Sequence, residues 1–211
     1  MKVIAFNGSP KKNGNTATAL GTVAEQLKKL DIEVEILSVG NEIVRGCTAC
    51  AGCVRNKNEQ CVINEDIVNE YIQKAKKADG IIIGSPVYFS GVAGTMKAFL
   101  DRLFYVSGAN GGLFRHKVGA SVVAVRRSGG LTTFNELNHY LLYSEMLIAT
   151  SNYWNVVHGA KPGEANQDKE GMQIMTILGE NMAWMMNLVE SGKNSVKEPE
   201  RHEKIAMNFI R

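Results

Sequence analysis

The sequence lacks any apolar stretch approaching the length of a membrane span, so no transmembrane segment is expected. Its first residues enter a strand pattern without the basic and apolar regions of a signal peptide, and the expected location is cytoplasmic. The net charge is only +3 and no basic run is interleaved with aromatics, which argues against nucleic acid as a partner. No G-x-G-x-x-G turn is present for a tightly held dinucleotide, and no G-x-S-x-G elbow for a serine hydrolase. The four histidines, His116, His139, His158 and His202, are scattered without metal-ligand spacing and read as surface or core polar groups.

What is present suits one full-sized core. The chain has 211 residues, 45% of them hydrophobic and 21% charged, and residues 1–190 read as a single domain. Residues 191–211 form a charged tail with no clear apolar face, expected to be disordered or to dock as an arm on a partner subunit.

Strand and helix patterns alternate along that domain. Val3-Ile4-Ala5-Phe6 reads as a first strand, and Leu20, Val23, Ala24, Leu27 and Leu30 then recur at helical spacing. A second strand is expected at Glu33–Leu37 and a helix on Ile67, Val68, Tyr71, Ile72 and Ala75. Gly80–Gly84 has no polar alternation, as a parallel strand covered on both faces requires. Met96, Phe99, Leu100, Leu103 and Phe104 mark another helix, and Ala120–Val125 a fourth buried strand. A helix over about 133–146, a short strand near 155–157 and a Met-rich helix over about 171–189 complete the series. Met172, Met175, Met182, Met185 and Met186 read as adaptable packing, and Trp154 and Trp184 as buried packing. Repeated right-handed βαβ units of this kind build an open, doubly wound α/β sheet with helices on both faces. Five parallel strands in the flavodoxin-like order 2-1-3-4-5 are the expectation.

The segment Gly8-Ser9-Pro10-Lys11-Lys12-Asn13-Gly14-Asn15-Thr16 stands between the first strand and its helix, and it reads as a phosphate cradle. A glycine- and serine-rich turn feeding a helix aims backbone N–H groups and the positive end of a helix dipole at an anion, and Ser9, Lys11, Asn15 and Thr16 add donors. Gly8 and Gly14 enclose five residues, and Asn15 occupies the place of a Walker lysine, which disfavours a nucleoside triphosphate. A monophosphate ligand remains, with FMN foremost. In a flavodoxin-like order the loop after the third strand lies beside this turn. That loop, Gly84-Ser85-Pro86-Val87-Tyr88-Phe89-Ser90-Gly91, offers aromatics and backbone amides to a flat ring, so Pro86, Val87, Tyr88 and Phe89 are candidate ring contacts. Arg126-Arg127-Ser128-Gly129-Gly130 follows the fourth strand and supplies a third wall, with Ser128 and Gly129 as candidates.

Together with Met96-Lys97-Ala98-Phe99-Leu100-Asp101-Arg102, these two loops resemble the NADPH-dependent FMN reductase family over about residues 1 to 130. The resemblance implies noncovalent FMN, held at its phosphate by Ser9, Lys11, Asn15 and Thr16 and at its isoalloxazine by residues 86–89. It also implies NAD(P)H as a transient hydride donor, and a homodimer or homotetramer with active sites near the subunit boundary. Asp101 and Arg102 match the family's helix ending, and a structural ion pair is their expected role.

Four cysteines fall within fifteen residues of the loop at 46–62, as Cys47-x2-Cys50-x2-Cys53-x7-Cys61. In a reducing compartment such crowding points to metal or redox chemistry rather than structural disulfides. The run resembles the compact motif of the iron-sulfur flavoproteins, a branch of the same family that holds a [4Fe–4S] cluster and exchanges electrons with ferredoxin. Three thiolates at three-residue steps can wrap one face of a cubane, with Cys61 closing the site. Reduced or redox-labile thiols, and zinc, stay open as alternatives. The chemistry expected is an FMN-dependent oxidoreductase that takes hydride from NAD(P)H and passes electrons to a quinone, flavin or nitro- or azo-aromatic acceptor. No side chain is assigned as acid or base, because the flavin carries the reaction. The alternative is an iron-sulfur electron carrier fed by ferredoxin.

Overall fold

The computed structural model describes residues 1–205, 207 and 209. Its core is a mainly parallel sheet in which β1 (Lys2–Asn7) lies between β2 (Glu33–Ser38) and β3 (Gly80–Tyr88). On its other side β3 pairs with β5 (Val118–Val125), and the next position is shared. There β6 (Leu147–Ile148) pairs with the start of β5, and β7 (Val156–His158) with its end. The order is therefore the expected 2-1-3-4-5, with the fifth position split into two short pieces by residues 149–155. A two-residue β4 (Gly91–Val92) folds back antiparallel on the end of β3.

Side-chain alternation along the strands explains why both faces are covered. Ile4, Phe6, Ile81, Ile83 and Val123 point to one side, where they meet α3 (Val68–Lys77), α4 (Gly94–Ala109) and α5 (Gly130–Tyr143). Val3, Ala5, Ile82, Ala120 and Val122 point to the other, against α1 (Asn15–Lys29) and α6 (Lys169–Gly192). Phe6, Tyr71 and Phe99 pack ring on ring, with Phe6 and Phe99 4.9 Å apart between centroids. Each such side chain, buried in full, contributes roughly 1.5–3 kcal/mol. The Met175, Met182 and Met186 side chains fill the α6 side of the core as expected.

One expectation is corrected. Trp154 and Trp184 are 51% and 65% exposed rather than buried, because Trp154 sits in the segment that splits the fifth position and Trp184 on the outer stripe of α6. The start of the tail lies along its own chain: the Lys204 ammonium stands 4.9 Å from the Tyr143 ring centroid, and the Arg115 guanidinium donates to the Pro199 carbonyl at 3.2 Å. Residues 206, 208, 210 and 211 of that tail lie outside the described residues. Among the described residues no helix is long and apolar enough to cross a membrane.

Candidate functional site

The C-terminal ends of β1, β3 and β5 bring the three expected loops together. The Gly8 N–H donates to the Gly84 carbonyl at 2.8 Å, which ties the first loop to the second. Gly129 ties the second to the third: it sits at φ +88°, and a Cβ there would meet Ser90 Cα at 2.8 Å and Val87 Cγ1 at 3.0 Å. Only glycine serves in that conformation at that separation.

Within the first loop, Ser9 and Thr16 are buried while Pro10, Lys11 and Lys12 face solvent. The Ser9 N–H donates to Asn7 Oδ1 at 3.0 Å, and Ser9 Oγ accepts from the Lys11 N–H at 3.2 Å, closing a tight turn. Gly14 caps α1 without a side-chain acceptor, and the first turn carries no acid. Its N–H groups and dipole are thus left for an outside anion. Thr16 Oγ1 is the decisive atom: it is buried and has no hydrogen-bond partner. A hydroxyl left so costs about 1–3 kcal/mol, and a phosphate oxygen at the helix start would satisfy it. Asn15 is engaged through its oxygen alone: Oδ1 accepts from the Ala165 N–H at 3.1 Å and anchors the 3-10 turn Glu164–Gln167 beside α1.

The second loop is longer and stiffer than a polar turn. Strand β3 runs on to Tyr88, and Phe89 and Ser90 both take positive φ (48° and 60°) to make a two-residue hairpin turn. Phe89 stands fully exposed at its tip and Tyr88 half-exposed. The hairpin is pinned from below, where Ser85 Oγ accepts from the Ala93 N–H at 3.1 Å and Glu136 Oε2 from the Val92 N–H at 3.0 Å. Pro86, Val87, Tyr88 and Phe89 therefore form a rigid shelf open to solvent. Arg126, Arg127 and Ser128 are exposed beside it, and Gly130 already belongs to α5.

Several contributors were silent in the sequence. Gly40 follows β2, and a Cβ on it would stand 2.2 Å from the Ser9 carbonyl carbon, so this glycine braces the first loop from outside. Its position two residues past the second strand was the available signal. Asp168 caps α6 by accepting from the Gly171 N–H at 2.9 Å, and also accepts from the His158 N–H at 2.7 Å. Burial pushes the Asp168 carboxyl up, but these two N–H bonds, with help from the His158 ring, hold it below the usual carboxylate range.

The four cysteines line one small pocket together with Arg102 and Tyr105. Cys47 and Cys50 are exposed, Cys53 is buried and Cys61 lies between. Ala49 and Ala51 take left-handed backbone (φ 53° and 55°) to lead into the short α2 (Gly52–Asn56). The Gly52 N–H and the Thr48 hydroxyl hold the Cys50 thiol below its ordinary pKa, whereas burial pushes Cys53 up. Asn69 fixes Cys61 at two points, accepting from its N–H at 2.7 Å and donating to its carbonyl at 2.9 Å. By residue type, four thiols on one pocket with small neighbours and a nearby buried cation suit thiolate ligation, but their sulfurs are not drawn together. Among the described residues no three His, Cys, Asp or Glu side chains stand arranged to hold a metal ion.

Asp101 and Arg102 do not pair with each other. Asp101 accepts from Lys97 and from the Tyr140 hydroxyl, and burial followed by that carboxylate pushes Tyr140 up to about 12. Arg102 is fully buried and meets Asp66 with both terminal nitrogens. Leaving either partner of such a buried pair alone costs about 3–5 kcal/mol.

Residues 1–161 match the NADPH-dependent FMN reductase family. An iron-sulfur flavoprotein of Methanocaldococcus jannaschii is 33% identical over 90% of this chain and 100% of its own length. Another, from Methanosarcina thermophila, is 29% identical over 92% and 100%. Among solved structures, the NAD(P)H:quinone oxidoreductase from Methanothermobacter marburgensis superposes with a TM-score of 0.66 at 15% identity, over 86% of this chain and 96% of that one, which is a likeness of fold.

Proposed function

Because this chain belongs to the NADPH-dependent FMN reductase family and to its iron-sulfur flavoprotein group, we propose that Ser9, Lys11, Asn15 and Thr16 hold the FMN phosphate while Pro86, Val87, Tyr88 and Phe89 carry the ring, with Ser128 and Gly129 as third wall. The protein is an FMN-dependent oxidoreductase that uses NAD(P)H to reduce small acceptors. The observation that carries the site assignment is the buried Thr16 hydroxyl without a partner at the start of α1. Ser9 and the open N–H groups of the first turn supply further donors, and Lys11 adds charge from the rim. Asn15, whose oxygen anchors the neighbouring turn, offers its Nδ2 donors.

Bound FMN accepts a hydride and releases electrons singly or in pairs. The chain's own contribution is a rigid shelf. The pinned hairpin fixes the ring contacts, and its exposed tip keeps that face reachable from solvent. Without a second nucleotide-binding turn in the sequence, donor and acceptor use this face in turn, and ping-pong kinetics follow. A quinone, free flavin or nitro- or azo-aromatic suits an open aromatic shelf. Anaerobic mixing with NADH or NADPH tests this reading: rapid loss of flavin absorbance with either donor supports it, and none with both overturns it.

A second reading is favoured by the four cysteines sharing one pocket. In it Cys47, Cys50, Cys53 and Cys61 hold a [4Fe–4S] cluster and the protein exchanges electrons with ferredoxin. The exposed Arg55 and Lys57 beside the loop suit an acidic partner. Iron and sulfide analysis after anaerobic purification separates the two, with stoichiometric cluster and slow NAD(P)H turnover supporting the carrier. A homodimer or homotetramer completes the proposal, supported by the exposed Phe89, Trp154 and Trp184.

A further inference from the structure

Arg102 makes more contacts than an ion pair needs. Its five N–H groups are all engaged in a fully buried setting. Two meet the Asp66 carboxylate. One terminal nitrogen also donates to the Arg45 carbonyl at 3.1 Å and the other to the Ile63 carbonyl at 2.6 Å. The remaining Nε–H points at Cys61 Sγ, 3.3 Å away. Arg45 lies two residues before Cys47, and Ile63 two residues after Cys61. One guanidinium on the rigid helix α4 therefore grips both ends of the cysteine loop and one of its sulfurs.

We propose that Arg102 is the positioning residue of the cysteine loop, clamping its two ends so that the thiols share one pocket and donating through Nε to Cys61 Sγ so that a bound cluster is more easily reduced. The inference rests on reading the loop as a cluster site. Reduction adds one electron to a group already made negative by four thiolates, and an N–H donor on a ligating sulfur favours the reduced form. Asp66 balances the charge of Arg102, so the effect on potential comes mainly from the N–H dipole at the sulfur. A lysine keeps the charge but has no planar fork and cannot meet two carbonyls, a carboxylate and a sulfur together.

The test uses the full chain, reconstituted anaerobically with iron and sulfide. R102K should retain FMN uptake and the far-ultraviolet spectrum, while its cluster midpoint potential moves to more negative values and iron is lost to a chelator about tenfold faster or more. D66N keeps the Nε donor and frees a positive charge, so its midpoint should move the opposite way. If R102K does not fold, the double variant R102M/D66L removes the pair without stranding either partner. It too should show the lower potential and faster iron loss. Folded R102K or R102M/D66L with the parent potential and chelator resistance would overturn the role of Arg102. A parent protein that takes up FMN but neither iron nor sulfide would instead overturn the cluster reading beneath it.

Discussion

Replacing Thr16 by valine should move two quantities in opposite directions. The side chain is 1% exposed, and its hydroxyl has no partner. Valine matches its shape and removes the stranded oxygen, so the flavin-free protein should keep or gain up to about 1–3 kcal/mol of stability. The same oxygen is assigned to the FMN phosphate, where a hydrogen bond to a charged group contributes about 1.5–3 kcal/mol. Flavin affinity should therefore fall by roughly 10- to 150-fold. Urea melts of apoprotein report the first quantity, and quenching of FMN fluorescence the second. An ordinary packing role for Thr16 predicts the reverse, a less stable apoprotein with unchanged affinity, and that result would refute the assignment.

Gly40→Ala places a methyl 2.2 Å from the Ser9 carbonyl carbon, so the first loop must shift. A stability loss of about 1–3 kcal/mol together with weaker FMN binding is expected, measured in the same two assays. Cys50→Ser should spare flavin uptake and the fold but leave iron and sulfide far below the parent's content. Asp168→Ala removes a helix-capping carboxylate and should cost about 1 kcal/mol at neutral pH. Because the folded carboxyl titrates below its usual range, its contribution is complete above roughly pH 4 and lost as the pH falls through the folded value. Urea midpoints at pH 7, 5 and 3 should show parent and variant converging on the acid side.

The sheet order was legible because the central strands β1, β3 and β5 carry near-continuous apolar runs and the longer helices a stripe at three- and four-residue steps. Both signals are local. The adjacency of the first two loops was legible for a related reason: the fold class alone puts them side by side. The split fifth position escaped because Leu147–Ile148 is too short to show a period. Trp154 and Trp184 were misread because size and apolarity favour burial, whereas their positions on an edge segment and an outer helix face decide exposure. Arg102 shows the limit most clearly. Its sequence neighbour Asp101 suggested the partner, yet the true one, Asp66, lies 36 residues away and is brought near only by the return of the cysteine loop onto α4. Gly40 was silent for the same reason, since its constraint comes from a backbone 31 residues earlier in the chain.

The central claim is that the β1–α1 turn captures the ligand by its phosphate. Titrating flavin-free protein side by side with FMN and with riboflavin, which differ only in that group, tests it directly. Uptake of one FMN per chain with riboflavin bound at least tenfold more weakly is the predicted result. Equal affinity for the two, or uptake of neither, would contradict it.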